Sequence, residues 1–236
     1  MLIVSNGAFK SGSTWFHRIA AEIVSAKRIP DEFQNPKWKH QSVEPSLFRR
    51  FLDECNVAER DYLSKNHVRD PESRATLLSH EHVRVLNITR DLRDVLVSAY
   101  FHDRREGRFK GGINVYWNTL GRRRINQVME HHRLWNTGHS QVYVTSYEAL
   151  KASFEAEVVA LAAFLGIDDV DVEEVKIKTD FQSMRQGSKS SKEKDRFHRK
   201  GIVGDWQNHL SERVLSELAA ATLSRGPTNS EDERSG

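Results

Sequence analysis

The sequence predicts an α/β fold in which a central parallel sheet is flanked by helices. Apolar segments of strand length alternate along the chain with amphipathic helical segments, which is typical of a parallel sheet covered on both faces. A glycine-containing loop follows the first of these strands at once, as in phosphate-binding α/β proteins. For 236 residues we expect a single domain over 1–225 and a disordered tail over 226–236.

Four segments have the composition of buried strands. They lie at 1–5, at 61–68 with the strand ending near His67, at 83–89 and at 141–147. Helices are predicted from apolar residues at helical spacing and from end signals such as Asp91 and Gly166. They span 14–27, 45–58, 91–105, 113–136, 148–165 and 204–225, and the region 28–46 reads as irregular.

Composition excludes several classes of protein. The chain has 36 basic and 33 acidic side chains, and this near balance argues against a general nucleic-acid binder. The single cysteine, Cys55, allows no disulfide within the chain and fits a reducing compartment. No apolar run approaches the ~20 residues that span a bilayer, and Met1 leads directly into a strand. We therefore expect a cytoplasmic protein without a membrane anchor or a signal peptide.

The loop after the first strand has the glycine spacing of a phosphate-binding loop, but its lysine stands at a different position. Gly7 and Gly12 have G-x-x-x-x-G spacing, yet Ser13 stands where a nucleoside-triphosphatase has lysine, and Lys10 lies inside the loop. Backbone N–H groups and a helix N-terminus form an anion site there, to which Lys10 adds a full charge. The hydroxyl donors of this loop are Ser11, Ser13 and Thr14. The alternative is an ordinary strand–turn–helix corner.

Two further segments carry signals for an anion. Arg90 follows the end of a strand, where open α/β sheets place their ligands, and Ser98 lies on the next helix. Near the C-terminus, Arg199, Lys200 and Gly201 offer two cations beside a flexible backbone position. A solvated arginine and an ordinary basic loop are the alternatives for these two segments.

Taken together, "KSGSTW", "TRDLRDVLVSAYFH" and "RKGIVGDW" resemble, in order and spacing, the sulfotransferase family, whose donor is 3′-phosphoadenosine 5′-phosphosulfate (PAPS). The resemblance covers about residues 1–210. It implies a 5′-phosphosulfate site made of Lys10, Ser11, Gly12, Ser13, Thr14 and Trp15, with Trp15 near the adenine. It implies a 3′-phosphate site made of Arg90, Ser98, Arg199, Lys200 and Gly201. Tyr147 and Phe181 match residues near the adenine, although either could simply be core.

The displaced lysine fits sulfuryl transfer without a metal. A triphosphate site needs Mg²⁺, which its Ser/Thr helps to hold, whereas a sulfuryl group carries less charge. Lys10 can then stabilise the leaving phosphate directly. His80 and His82 have metal-compatible spacing, but no cysteine or carboxylate set completes a site. We expect no metal.

A histidine is the natural general base for a hydroxyl acceptor near neutral pH. The segment Lys65-Asn66-His67 resembles the family's K-T-H-type segment, whose histidine is the base, with asparagine in the middle place. The resemblance thus implies His67 as the base, and Lys65 could reach the sulfuryl oxygens. The alternative is a strand-end histidine that only forms a hydrogen bond.

The acceptor is the part that the sequence specifies least. We expect a small molecule that offers a hydroxyl or an amine, and the oligomeric state is left open. Residues that could line its pocket, or equally belong to the core, are Phe33, Trp38, Phe109, Tyr116 and Trp117. The basic segment 185–198 reads as a lid or as a solvated loop.

Two other functions compete with sulfuryl transfer. One is a P-loop nucleotide kinase that uses ATP and Mg²⁺, which Ser13 argues against. The other is a nucleotide-binding protein without catalysis, which His67 argues against.

Overall fold

The computed structural model describes residues 1–37, 39–180 and 201–223. Its strands are β1 (Leu2–Asn6), β2 (Gln34–Asn35), β3 (Lys39–Val43), β4 (Tyr62–Asn66), β5 (Val83–Thr89) and β6 (Val142–Ser146). Its α-helices are α1 (Ser13–Ile23), α2 (Phe48–Glu54), α3 (Pro71–Leu78), α4 (Leu92–Arg105), α5 (Ile113–Tyr116), α6 (Arg122–Trp135), α7 (Tyr147–Ala152), α8 (Phe154–Leu165), α9 (Val172–Thr179) and α10 (Glu212–Leu223).

The central sheet contains four strands in the order β4-β1-β5-β6, and all three pairings are parallel. The register pairs Asn6 with Asn66 and Ser5 with Leu86. All four strands therefore point their carboxyl ends to one edge, where parallel α/β sheets bind ligands. The predicted fold class, a parallel sheet flanked by helices, is confirmed.

Each face of the sheet packs into its own apolar cluster. Leu2 and Val4 of β1 join Val85 and Trp135 on one face, while Ile3 joins Phe16 of α1 on the other. The alternation follows from the period of two along a strand, and burial on both faces explains the nearly continuous apolar strands. Burial of these clusters fixes the strand register and, with it, the positions of the residues at the carboxyl edge.

Several predicted element boundaries need correction. The region 28–46 is not wholly irregular, because it contains a short 3₁₀ turn and the antiparallel pair β2–β3. The predicted helix 148–165 is interrupted at Ser153, whose backbone is not helical (φ −142°, ψ 52°). Gly166 closes α8 in the left-handed region as expected. The predicted helix 204–225 is a 3₁₀ turn followed by α10, and the end of the prediction lies outside the described residues.

The remaining helices also depart from the prediction in detail. α1 ends at Ile23 and α2 at Glu54, each four residues before its predicted end. The long helix at 113–136 is present but contains a π-helical turn over Trp117–Gly121. α3 and α9 were not predicted; both are short, and each begins at an aspartate that caps it.

The chain divides into two compact units. The first contains residues 1–91 and 126–203, and the second contains 92–125 together with the chain from 204, each as far as it is described. In the second unit, Asp103 is fully buried and accepts hydrogen bonds from Tyr116 and Arg124. Whether the two units fold as the single domain 1–225 stays a prediction.

Most of the aromatic residues considered for the acceptor pocket belong to the core. Phe33, Tyr116 and Trp117 are at most 2% exposed, and Phe109 is half-buried. Trp38, the segment 185–198 and the tail 226–236 lie outside the described residues. Among the helices of the described part, none is long and apolar enough to cross a membrane.

Candidate functional site

The loop between β1 and α1 has an unusual backbone. Lys10 adopts φ 64°, which makes it the one described non-glycine residue in the left-handed region, and Gly12 follows at φ 92°. For a side-chain-bearing residue this conformation costs about 1–3 kcal/mol and is found most often at ligand-binding loops. Left-handed residues within such a loop turn backbone N–H groups toward a common point, the arrangement that binds anions.

Both glycines of the loop are required by close packing. A Cβ on Gly7 would lie 2.6 Å from the Cβ of Ser13 and 2.7 Å from Cγ2 of Ile88. A Cβ on Gly12 would lie 2.6 Å from Cδ2 of Tyr147. The spacing seen in the sequence therefore reflects contacts of the loop with β5 and with the first residue of α7.

Lys65 connects the carboxyl end of β4 with the loop. Its Nζ donates a hydrogen bond to Oγ1 of Thr14 at 2.9 Å, and the side chain is 8% exposed. Burial, reinforced by the positive charge of Arg18, lowers the pKa of Lys65 to about 8. At neutral pH the ammonium group is still mostly protonated, so Lys65 offers a positive charge at the loop.

His67 lies beside the start of the same loop. Its Nδ1 is 2.5 Å from the carbonyl oxygen of Gly7. Because a carbonyl oxygen can only accept, Nδ1 carries the proton and Nε2 is the basic ring nitrogen. Desolvation lowers the pKa of His67 despite the opposing effect of this hydrogen bond, and the nearby cations Lys65, Arg69 and Lys37 lower it further. His67 is thus a neutral proton acceptor at neutral pH.

The guanidinium group of Arg90 is held by contacts with the Tyr147 ring and with the backbone of Ile202. Its guanidinium carbon lies 4.3 Å from the centroid of the Tyr147 ring, and Nη2 donates to the carbonyl oxygen of Ile202 at 3.1 Å. Gly201 itself has φ 65°. The structure therefore brings Arg90 and the Gly201–Ile202 turn together, and their binding of a 3′-phosphate stays a prediction. Phe181, Arg199 and Lys200 lie outside the described residues.

Tyr147 also joins the loop to the aromatic residues around α7. Trp15 is 7% exposed and packs edge-on against Tyr147, with ring centroids 5.5 Å apart, and stacks on Phe154. Trp15 is thus chiefly a packing residue that holds α1 against α7 and α8. Its proximity to an adenine stays a prediction.

Sequence reasoning missed Lys151. Its Nζ lies 5.0 Å from the Trp15 ring centroid and 6.0 Å from that of Tyr147. Burial lowers the pKa of Lys151, Asp180 opposes this shift, and the positive charge of Arg90 adds to it. Two cations therefore lie near Tyr147. The signal that could have found Lys151 is its i, i+4 spacing from Tyr147, which places both on one helix face.

The hydroxyl groups of the predicted site differ in burial and in hydrogen bonding. Thr14 faces Lys65, whereas Ser11 is fully buried and its Oγ has no hydrogen-bond partner among the described residues. Ser13 is 9% exposed at the first position of α1. Ser98 is half-buried within α4 and belongs to the second unit, so it is described with that unit.

Another histidine of the chain, His131, is buried on α6. It is 1% exposed, neither of its ring nitrogens has a hydrogen-bond partner in the described part of the chain, and burial lowers its pKa to about 3. An inaccessible ring of this kind cannot meet an acceptor directly, unlike His67, which reaches the surface. Across residues 1–37, 39–180 and 201–223, no group of three histidine, cysteine or acidic residues could hold a metal.

The fold and the site define the class of protein. A loop with two required glycines joins a parallel strand to a helix, cations lie at the carboxyl edge of the sheet, and a neutral histidine stands next to the loop. This is the arrangement of a P-loop-like α/β protein that binds a phosphorylated ligand.

The sequence profile of the Sulfotransferase domain family matches residues 2–224, and the chain belongs to this family. It is therefore a sulfotransferase-type enzyme, as the three motifs indicated, and the kinase alternative is disfavoured.

Curated relatives agree with this assignment. Sulfotransferase 1C2 of Rattus norvegicus is 22% identical over 229 residues, which are 86% of this chain and 75% of that protein. Cytosolic sulfotransferase 12 of Arabidopsis thaliana is 22% identical over 258 residues, covering 92% of this chain and 74% of the relative.

Solved structures share the fold at low identity. Mouse sulfotransferase SULT7A1 complexed with PAP superposes with a TM-score of 0.67 and 18% identity, covering 95% of this chain and 82% of that one. Retinol dehydratase in a complex with retinol and PAP gives a TM-score of 0.68 with 16% identity, covering 94% of this chain and 80% of that one.

We predict that His67 titrates below pH 6.5 and carries its proton on Nδ1 in the neutral form. Desolvation of the ring accounts for the lowered pKa, and the hydrogen bond to the carbonyl of Gly7 accounts for the tautomer. Nitrogen-15 NMR of histidine-labelled protein measures both the pKa and the tautomer, and a His67→Asn sample assigns the signal. A pKa above 6.5, or a proton on Nε2, would contradict the geometry.

Proposed function

We propose that this enzyme transfers a sulfuryl group from PAPS to a hydroxyl or amine of a small-molecule acceptor, in line and without a metal. The hydrogen bond between His67 and Gly7 carries the proposal, because a histidine next to this loop supports the role of a general base for a donor bound by the loop. Family membership supports PAPS as the donor, and so do the two structural neighbours, both of which are complexed with PAP. We also propose that the enzyme works in the cytoplasm.

The described residues fit a donor with two separate anionic groups. The loop at Lys10–Thr14, with Lys65 beside it, suits the 5′-phosphosulfate. Arg90, Lys151 and the turn after Gly201 suit a 3′-phosphate, since they gather cations and backbone around Tyr147. The remaining proposed donor residues are Ser98, Phe181, Arg199 and Lys200.

The reaction we propose has one transition state. The acceptor oxygen forms a bond to sulfur while Nε2 of His67 takes the proton from that oxygen. The bond between sulfur and the bridging oxygen breaks, and its electron pair remains on the phosphate of the departing adenosine 3′,5′-bisphosphate (PAP). Lys10 and Lys65 stabilise the charge that develops on the bridging and sulfuryl oxygens.

A direct test incubates the protein with PAPS and a panel of small acceptors, followed by mass spectrometry. We expect a product that is heavier by one sulfuryl group, at a rate that EDTA leaves unchanged. PAP should raise the melting temperature of the protein, whereas ATP with Mg²⁺ should not. Phosphorylated products, or inhibition by EDTA, would favour the kinase alternative. Binding of PAP without any turnover would favour a non-catalytic nucleotide-binding protein.

Lys10→Ala should lower kcat by a factor of ~100 or more, because a preorganised cation at the leaving oxygen is lost. Steady-state rates with PAPS check this, and Lys176→Ala on the exposed surface of α9 serves as the matched control. A loss of tenfold or less would remove Lys10 from the role proposed here.

His67→Ala should abolish turnover and leave the affinity for PAP nearly intact, because the base contacts the acceptor and not the nucleotide. Turnover assays and calorimetric titration with PAP separate the two effects. The control is His82→Ala, since His82 precedes β5 and therefore lies at the opposite end of the strands. Near-normal turnover of the His67 variant would exclude it as the base.

A further inference from the structure

The hydrogen-bond ladder between β1 and β4 ends in an unusual way at the carboxyl edge of the sheet. At the amino end of this strand pair, the backbone N–H of Tyr62 donates to the carbonyl oxygen of Met1 at 2.9 Å. The two strands stay in parallel register to their last residues, and bonds on one side of a strand recur at every second residue. Continued one step beyond the strands, the same series would join the N–H of Val68 to the carbonyl oxygen of Gly7.

Two other hydrogen bonds take the place of this step of the ladder. The N–H of Val68 donates to Oδ1 of Asn6, the last residue of β1, at 2.7 Å. The carbonyl oxygen of Gly7 accepts the hydrogen bond from Nδ1 of His67. The side chain of Asn6 thus supplies the acceptor that the ladder would take from Gly7, and the Gly7 carbonyl is left for the histidine ring.

The other backbone group of Val68 is also bound by a side chain. Its carbonyl oxygen accepts a hydrogen bond from Nε1 of Trp135, in α6, at 2.9 Å. Val68 is 2% exposed, and both Asn6 and Trp135 are fully buried, so water does not compete for either bond. The residue directly after His67 is therefore fixed at its N–H and at its C=O, which leaves the backbone of the proposed base little freedom to move.

Only the oxygen of the Asn6 amide is used. Its Nδ2 atom is buried and has no hydrogen-bond partner among the residues that the structure describes. A buried donor without a partner destabilises the folded state, and an apolar side chain at the same place would avoid that cost. The bond from Val68 to Oδ1 explains why an asparagine stands at the end of β1.

We propose that Asn6 is a positioning residue for the base: by binding Val68, it keeps the Gly7 carbonyl for Nδ1 of His67 and so leaves Nε2 to take the acceptor proton. The inference rests on the proposed sulfuryl transfer, in which His67 is the base. Without the Asn6 oxygen, the buried N–H of Val68 needs another acceptor, and the ladder offers it the carbonyl of Gly7. The strand pair would then extend by one hydrogen bond, and the ring of His67 would lose its fixed orientation.

The first test observes the ring in the absence of any acceptor. Nitrogen-15 spectra of histidine-labelled, full-length protein are compared for the wild type, Asn6→Ala and Asn6→Asp. In Asn6→Ala the tautomer of His67 with its proton on Nε2 should become populated, because the Gly7 carbonyl no longer selects Nδ1. Asn6→Asp keeps an oxygen at the position of Oδ1 and should keep the proton on Nδ1. An unchanged tautomer in Asn6→Ala, or the same change in both variants, would overturn the inference and leave sulfuryl transfer in place.

Asn87→Ala is the matched control for a general loss of stability. Asn87 is a fully buried asparagine of the central strand β5, and its Nδ2 donates to Oδ1 of Asn136 at 2.7 Å. This substitution removes a buried amide hydrogen bond of the same kind but leaves the acceptor of Val68 in place. The proton of His67 should therefore stay on Nδ1. A tautomer change as large as that of Asn6→Ala would assign the effect to loosening of the sheet and overturn the role of Asn6.

The second test measures turnover with sulfur-35 PAPS and the panel of small acceptors. Asn6→Ala should lower kcat by about tenfold, roughly the net value of one hydrogen bond, with the affinity for PAP unchanged. Asn6→Asp should recover most of that loss. If Asn6→Ala does not fold, Asn6→Ser takes its place, because the serine oxygen lies closer to the backbone and does not reach Val68.

The two tests together separate the positioning role from the proposed function. A changed tautomer and a lower kcat in Asn6→Ala, both recovered in Asn6→Asp, would support the inference. A changed tautomer with an unchanged kcat would exclude His67 as the base, and with it the proposed mechanism and the positioning role of Asn6. A loss of PAP affinity in step with kcat would show that Asn6 supports the loop as a whole, which would also overturn the inference.

Discussion

The contact between His67 and Gly7 is the interaction on which the site depends. Gly7 is the first residue after β1 and His67 the first after β4, and the two strands are adjacent in the sheet. One hydrogen bond from Nδ1 to the Gly7 carbonyl holds the ring, selects its tautomer and ties the proposed base to the loop that we propose binds the donor. A base positioned by the loop itself keeps a fixed distance from whatever the loop binds, which is the main requirement of an in-line transfer.

The parallel register makes this contact possible. Asn6 pairs with Asn66, so the residues that follow them leave the sheet side by side. Lys65, one residue earlier in β4, binds Thr14 where α1 begins. Arg90 comes directly after β5, on the other side of β1. The packing of Leu2, Val4 and their neighbours therefore determines the geometry of the site as much as the polar residues do.

The sequence predicted the central strands well because buried strands are local patterns. β5 matches its predicted range of 83–89, and β1 and β6 differ from theirs by one residue at each end, since buried strands form short apolar runs. The pair β2–β3 was missed because it is short, polar and close to three prolines. The break at Ser153 could not be seen because the helical pattern continues across it.

Only the candidate site residues that lie in recognisable sequence motifs could be predicted. Recognisable sequence motifs contain Lys10, Gly12 and Arg90. Lys151 lies in an ordinary amphipathic helix, and it is near the site only because its side chain packs against Trp15. The tautomer of His67 was equally beyond the sequence, because it depends on a carbonyl sixty residues away in the chain. Tertiary contacts of this kind are created by the sheet order, which no local pattern records.

The net charge of the chain does not indicate how charge is distributed at the candidate site. The formal charge of +3 reflects 33 acidic side chains, but many of these are committed to local tasks. Asp70 and Asp171 cap helices, Glu54 pairs with Arg50, and Glu157 accepts a hydrogen bond from Thr145. A nearly balanced chain can therefore still gather cations locally, as Arg90 and Lys151 do beside Tyr147.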